Sequence, residues 1–196
     1  KTEAITPSGN PKDRFHFTYP TTEWQQLSQS GISAGYGLEW VVLNDTPPRE
    51  VVVAYTQPGN GSPAAMVGIA RGARVLAIDG VDLVNSNLQS DIDLLNDALF
   101  PAATGQSHSF TIREPDGGTR SVSMTSADVT SVPVQNTRTI PTASGPVGYL
   151  LFNDHIATAE LGLVDAITQL RNAGIADLVL DMRYNGGGYL DIASVL

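Results

Sequence analysis

At 196 residues the chain exceeds one small domain and has room for a compact unit plus part of a second. Hydrophobic residues make up 41% and charged residues 16%, which is enough apolar material for a core and too little charge to force disorder. The formal net charge of −9, with 11 Lys and Arg in no cluster, argues against a nucleic-acid partner, and no apolar run approaches the ~20 residues of a membrane span. There is no cysteine, hence no disulfide framework or thiolate metal site. The 19 Gly and 12 Pro imply many turns and a β-rich fold. The chain starts at Lys1 without methionine, which suggests a removed leader or preceding segment, although an arbitrary boundary would look the same.

Taken in chain order, residues 1–32 read as an irregular lead-in rich in Pro and Gly, with Phe15, Phe17 and Tyr19 alternating as in a short strand and a weak helical turn over 22–29. Tyr36 to Leu43 and Glu50 to Thr56 are β-favouring runs separated by Thr46-Pro47-Pro48, which predicts a hairpin or meander. Ser62 stands where an N-cap hydroxyl accepts a backbone N–H, Pro63 takes the first helical position, and Ala64 to Val67 supply a short helix that Gly68 or Gly72 can end. Ala73 to Ile78 is strand-like, and Asp79-Gly80 offers the positive φ of a tight turn into Val81 to Val84. Leu88, Ile92, Leu95 and Leu99 recur at helical spacing up to Pro101. Ser107 to Arg113 and Thr119 to Thr125 flank Glu114-Pro115-Asp116-Gly117-Gly118 as a hairpin.

Residues 127–146, rich in Ser, Thr, Val and Pro, read as an extended connector between two units. Beyond it, Val147 to Phe152 is a short apolar strand and Thr158 to Ala173 a helix with Leu163, Ile167 and Leu170 on one face. Gly174 suits the C-cap of that helix, and Asp177 to Met182 is a second, buried strand. This is a βαβ unit with parallel strands. Arg183-Tyr184-Asn185-Gly186-Gly187-Gly188 follows, and Tyr189 to Leu196 opens a helix. A sheet begun in this way leaves an open edge, at which copies of the chain can pair.

Two patterns carry a resemblance. Gly35-Tyr36-Gly37-Leu38, then Gly61-Ser62-Pro63-Ala64-Ala65 and Gly72-Ala73-Arg74-Val75-Leu76-Ala77-Ile78-Asp79-Gly80, resemble a bacterial PDZ domain, set here at residues 33–126. Leu178 to Gly188 is similar to the Leu-Asp-Leu-Arg-x-Asn-x-Gly-Gly segment of the carboxyl-terminal processing (tail-specific) serine proteases, and residues 147–196 would open their α/β protease domain. The resemblance implies a mixed fold, a PDZ-like α+β domain followed by the first βαβ of the protease domain. It further implies a bacterial periplasm or cell envelope, no metal and no organic cofactor.

Physically, the glycines of the first pattern let successive N–H groups point into one concavity, a hook for a terminal carboxylate. The partner would be the free C-terminal tail of a protein substrate, added as a strand beside Leu38 to Leu43. Its side chains would face Ile92, Leu95 and Leu99, so that the peptide-binding candidates are Gly35, Tyr36, Gly37, Leu38, Ile92, Leu95 and Leu99. The bland reading is that Gly35 and Gly37 only relieve a tight strand start. The second pattern, a glycine turn at the end of a parallel strand opening a helix, presents N–H groups to an anion. By the resemblance, Gly188 is the oxyanion donor and Gly187, with Gly186, permits the close approach, while Asp181 and Arg183 hold the turn. The competing reading is a phosphate cradle or a plain loop, and no Lys or Ser/Thr follows to make a Walker-type site.

The family's serine nucleophile and lysine base lie well after the glycine turn, so neither is assigned here and the polypeptide itself is expected only to bind peptide. Lys1 and Lys12, the only lysines, lie in the wrong place. The alternative is a non-catalytic PDZ binding or scaffold module, and a carrier of small hydrophobic ligands on the same framework is a further rival.

Other strings are weaker. Gly31-Ile32-Ser33-Ala34-Gly35 matches a nucleophile elbow, but polar residues precede it and a strand follows, the reverse of what an elbow needs. His16, His108 and His155 share no helical face for a metal, and His155, after the first strand of the βαβ unit, reads as a surface or turn-stabilising residue. Asp91, Asp93 and Asp97 lack the rest of a calcium loop.

Overall fold

The computed structural model describes residues 20–59 and 61–196. The alternating Phe15, Phe17 and Tyr19, as well as His16, Lys1 and Lys12, lie outside the described residues. Within them the lead-in is more regular than expected: α1 (Thr21–Gln25) runs on as a π-helical turn, Gln26–Ser30, that Gly31 ends at φ +69°. The weak helical turn expected over 22–29 falls on this helix, and its signal is faint because the helix is exposed along most of its length, with only Ser28 buried.

Next come β1 (Ile32–Gly35), β2 (Leu38–Asn44), β3 (Glu50–Thr56), α2 (Pro63–Met66), β4 (Arg74–Ile78), β5 (Val81–Asp82), α3 (Gln89–Leu99), β6 (Ser107–Arg113) and β7 (Thr119–Thr125). β2, β3, β4, β6 and β7 lie side by side in that order, with β5 paired to β4, so β2 is an edge strand. The local signals act as elementary chemistry requires. Ser62 Oγ accepts from Ala65 N–H at 3.2 Å and caps α2 behind Pro63. Asp79 and Gly80 take φ +51° and +81° to turn β4 into β5. The core gathers on Phe110, against which Tyr36 packs edge-on at 5.3 Å and Trp40 stacks at 5.9 Å. α3 closes it with Leu95, Ala98 and Leu99, whereas Leu88 precedes the helix and is exposed.

Residues 127–146 are extended, but they are strands and not a free connector. β8 (Ala127–Thr130) pairs antiparallel with β1, which draws the two ends of the first unit together. β9 (Val134–Thr142) pairs antiparallel with β10 (Gly145–Phe152). No side chain of β9 is buried, so its sequence is polar with no strand signature beyond its β-branched residues.

The second unit is the expected βαβ. β10 leads through α4 (Ala159–Asn172) to β11 (Asp177–Asp181), which runs parallel to β10 in the register Val147↔Asp177 to Leu151↔Asp181, and α5 (Leu190–Val195) follows. Its core holds Leu150, Phe152, Leu163, Ala166, Leu170 and Ile192, separate from the Phe110 cluster. Two expectations need correction. Ile167 turns outward, with Ala166 taking the inward place. β11 is an edge strand with Leu178 and Val179 exposed, because no further strand covers it among the described residues.

Leu170 and Ile167, equal by sequence spacing, should therefore differ in cost. Leu170→Ala removes a side chain with 0% exposure and should lower stability by about 2–5 kcal/mol, whereas Ile167→Ala should cost under about 0.5 kcal/mol. Urea unfolding of the two variants checks this; equal midpoints would contradict the packing.

Candidate functional site: two glycine turns and the cavities beside them

The first turn joins β1 to β2. Gly35 ends β1, Tyr36 and Gly37 are buried, and Leu38 opens β2. Gly37 has φ +73°, and a Cβ there would stand 2.4 Å from Ser62 Oγ, so both conformation and space demand glycine. The loop is held from behind. Ser62 Oγ donates to Gly37 O at 3.0 Å, Gln57 N–H donates to the same carbonyl at 2.7 Å, and Ala64 N–H donates to Tyr36 O at 2.9 Å. With their carbonyls engaged, the Tyr36 and Gly37 N–H groups find no acceptor among the described residues.

A groove lies beside β2. Ile92, Leu95 and Leu99 of α3 meet Val42, Val51 and Leu83 around a cavity of about 320 Å³. Leu95 and Leu99 form its buried wall and Ile92 is partly exposed. Trp40 Nε1 donates to Leu99 O and Tyr36 Oη to Ala98 O, both at 3.0 Å, fixing the end of α3 on the edge strand. Burial, followed by the Asp79 charge, pushes the Tyr36 phenol up to about 12, so it remains a donor at neutral pH.

A second cavity, of about 360 Å³, lies over the glycine loop and contains residues that no sequence motif marked: Leu27, Glu39, Tyr55, Gln57, Ser131 and Asp154. Burial pushes both the Glu39 and the Asp154 carboxyls up; the Asp154 charge adds to the rise at Glu39, and the hydrogen bond from the His155 N–H and the His155 charge oppose it at Asp154. The same burial, joined by the charges of Glu39, Asp154 and Tyr184, raises the Tyr55 phenol.

The second turn follows β11. Asp181 is buried, with Oδ1 accepting from Arg183 N–H and Nε and Oδ2 accepting from Tyr149 Oη at 2.7 Å and Arg183 Nη2 at 2.8 Å. Burial opposes its ionisation, but the Arg183 and Tyr149 hydrogen bonds prevail and hold the carboxyl below its usual range. Asp181 and Arg183 thus anchor the turn. Asn185 shapes it: its Oδ1 accepts from Gly187 N–H at 2.9 Å and from His155 Nδ1 at 2.8 Å, and its Nδ2 donates to Phe152 O at 3.2 Å. Since Asn185 Oδ1 is the acceptor, His155 carries its proton on Nδ1.

The backbone then pairs across, His155 N–H to Gly187 O at 3.1 Å and Tyr189 N–H to His155 O at 2.9 Å. Gly188 lies between these bonds in a parallel bridge with His155, so its own N–H faces the other way and finds no acceptor among the described residues. A cavity of about 310 Å³ lies beside Gly186, Gly187 and Gly188. His155 is 6% exposed, a buried turn-stabilising residue and not a surface one.

Leu27 and Asp154 line both this cavity and the one over the first turn, which makes the two neighbours. A further strut joins them: Arg71 donates from Nε to Ala54 O and from Nη2 to Tyr184 Oη, both at 2.9 Å, and Tyr55 and Tyr184 rings lie 5.5 Å apart. The remaining motifs stay apart from the turns. Ser33 is an exposed strand residue paired with Val129, not an elbow. His108 Nδ1 meets Asp79 Oδ2 at 2.6 Å in a surface pair. Asp91 bonds Ser86 and Asp93 bonds Gln89. No cluster of three His, Asp or Glu suited to a metal occurs among the described residues.

A PDZ-like module followed by the opening βαβ unit of an α/β protease domain is the class that these elements define. No protein-family profile matches the chain. It is 32% identical over 167 residues to a carboxyl-terminal-processing protease of Picosynechococcus sp., covering 84% of this chain and 38% of that protein. It is 27% identical to the chloroplastic C-terminal processing peptidase of Tetradesmus obliquus, covering 81% and 35%. Among solved structures it is similar to a photosystem II D1 C-terminal processing protease, with TM-score 0.52, 26% identity and coverage of 81% and 42%. A protein of Bacteroides fragilis described as an S41 protease shares the fold, with TM-score 0.56, 24% identity and coverage of 93% and 52%. The chain belongs to the carboxyl-terminal-processing proteases. It spans little more than a third of the length of the curated relatives it matches.

Gly188 and Gly186 should respond oppositely to a methyl group. At Gly188, φ is +135° and a Cβ would stand 2.5 Å from His155 O, whereas a Cβ at Gly186 meets nothing within 4 Å. Gly188→Ala should cost at least about 1–3 kcal/mol of stability from the backbone conformation alone, and Gly186→Ala less than about 0.5 kcal/mol. Chemical unfolding with a probe in the βαβ unit distinguishes them; equal tolerance would mean that the bridge to His155 does not form.

Proposed function

We propose that the whole protein is a serine-type endopeptidase that captures free C-terminal tails of protein substrates in its PDZ-like groove and cleaves peptide bonds beside the Gly186–Gly188 turn with a serine nucleophile and a lysine base. The observation that carries the reading is the unengaged Gly188 N–H, presented at the end of a parallel strand beside a cavity. A preorganised donor of this kind is aimed at the oxygen of a tetrahedral intermediate and contributes about 3 kcal/mol to its stabilisation. Gly187, locked by Asn185, sets its direction. Neither the serine nor the lysine is assigned to a residue of this chain. The tail's terminal carboxylate would take the Tyr36 and Gly37 N–H groups, its backbone would add to the free edge of β2, and its apolar side chains would enter the groove formed with Ile92, Leu95 and Leu99. Docking there raises the local concentration of the scissile bond. Kinship with cyanobacterial and chloroplastic enzymes accords with a bacterial protein that works outside the cytoplasm, in the periplasm or cell envelope.

A peptide with a free apolar C-terminus should bind this chain at least tenfold more tightly than its C-terminal amide, measured by fluorescence anisotropy. Equal affinities would remove the carboxylate hook.

Tail capture should also depend on pH. Glu39 and Asp154 face the same cavity as the hook, along with Tyr55, and burial shifts both carboxyls toward protonation at a higher pH than an ordinary carboxyl. The tail carboxyl, with an ordinary pKa of about 3.3–3.7, keeps its charge at pH 5.5. Acidification therefore neutralises the cavity carboxyls before the tail, and affinity followed downward from pH 8 should rise before it falls. Glu39→Gln should flatten that profile; an unchanged slope would separate Glu39 from the hook.

A further inference from the structure

The cavity at the second glycine turn is not built by the βαβ unit alone. The loop after β10 supplies Asp154, His155 and Ile156, the turn supplies Gly186 to Tyr189, and the opposite wall comes from the segment before β1, with Trp24, Leu27 and Ser28. That segment is fastened in place. Ala157 N–H donates to Ser28 O at 2.9 Å and Ser131 N–H to Gly31 O at 2.7 Å, so α1 and its π-helical turn are tied to both neighbours of the cavity. The walls are apolar at Trp24, Leu27, Ile156 and Tyr189. Two buried polar side chains lie among them: His155, held by Asn185, and Ser28, 4% exposed, whose hydroxyl has no hydrogen-bond partner among the described residues. Asp154 stands where the cavity meets that of the hook, since it lines both.

Position decides the occupant. A carbonyl oxygen held by the Gly188 N–H has its neighbouring Cβ only two bonds from the carbonyl carbon, so the side chain on the amino side of the scissile bond must enter whatever space adjoins Gly186 to Gly188. The space of about 310 Å³ is at the lower end of small-ligand pockets, which suits one side chain and not an extended ligand. We infer that this cavity receives the substrate side chain on the amino side of the scissile bond, and that Trp24 and Leu27, delivered from the segment before β1, set its selectivity for medium-sized apolar side chains. Asp154 at the rim adds a bias against acidic ones, because a second carboxylate there meets like charge at low dielectric. The inference rests on the peptidase reading and deepens it: it makes the residues before β1 specificity-determining and not merely a lead-in.

The test compares cleavage by the whole protein of peptides that differ at one position, Leu, Phe, Gly or Asp before the scissile bond, all with the same free apolar tail. Wild type should favour Leu over Gly and over Asp by at least tenfold in kcat/KM. Leu27→Ala and Trp24→Ala, which widen the space, should move the Leu-to-Phe ratio at least tenfold toward Phe. A folding defect would lower both peptides together and leave the ratio unchanged. Ratios within twofold of wild type in both variants would overturn the inference while leaving the peptidase reading intact; absence of cleavage of every peptide would remove that reading instead. An independent measurement needs no turnover: N-acetyl-leucinamide added to this chain should shift the amide signals of Gly187 and Gly188 and the Trp24 indole signal, with N-acetylglycinamide giving no such shift. Leucinamide shifts confined to the β2–α3 groove, or absent, would overturn the inference whatever the cleavage result.

Discussion

A single side-chain amide organises the second turn. Asn185 accepts from the backbone of Gly187 and from the ring of His155 and donates to the carbonyl of Phe152, so one residue ties the glycines to the end of the central strand of their sheet. Glycine by itself would make this stretch the least ordered part of the chain, since it loses the most conformational freedom on folding. The amide offsets that cost with several hydrogen bonds in a partly buried site, where each is stronger than at the surface. Gly188 is then left with its N–H turned away from the bridge and available. The parallel pairing of β10 with β11 is the condition for all of this, because only a parallel neighbour brings the residue after β10 and the residue after β11 to the same end of the sheet.

The first turn follows the same logic with different support. Its carbonyls are consumed by Gln57, Ser62 and Ala64, while the Tyr36 and Gly37 amides find no acceptor among the described residues. Ser62 serves twice, capping α2 and bracing Gly37, and it leaves no room for a Cβ between them. The groove along β2 pairs an acid, Asp45, with a base, Arg49, whereas this cavity has only carboxyls: Glu39 and Asp154 approach a site otherwise suited to an anion. Burial disfavours their ionised forms, and so their negative charge is lost earlier on acidification than that of an ordinary carboxyl.

The two units have separate cores, yet they meet at specific polar and aromatic contacts. Arg71 spans from the end of β3 to Tyr184 in the glycine turn, and Tyr55 packs on the same ring. Gln57 reaches into the segment between β8 and β9, accepting from Val132 N–H at 2.9 Å and from Gln135 Nε2 at 3.1 Å. The Gln57 and Arg71–Ala54 bonds are part-buried and each adds about 1 kcal/mol net, while the exposed Arg71–Tyr184 bond sets orientation more than it adds stability.

Much of the architecture was legible in the residues because it depends on local chemistry. The hairpin of β6 and β7, the Ser62-Pro63 helix start, the Asp79-Gly80 turn and the βαβ order each follow from side chains within a few positions of one another. So did both glycine strings, whose backbone requirements are local. The strand β8 was not legible because its partner lies about a hundred residues away, and β9 was not because none of its side chains is buried and no period results, while α1 showed only faintly as a helical turn over 22–29. Ile167 and Ala166 show the same limit at finer scale, since helical spacing names a face but not which side chain meets the sheet. The sequence by itself determined which amides can be freed, through glycine and the capping residues around it. Tertiary structure alone decided what those amides face, because Leu27, Glu39 and Asp154 reach the cavities only once β1 pairs with β8 and β10 pairs with β11, and no local pattern encodes a long-range meeting.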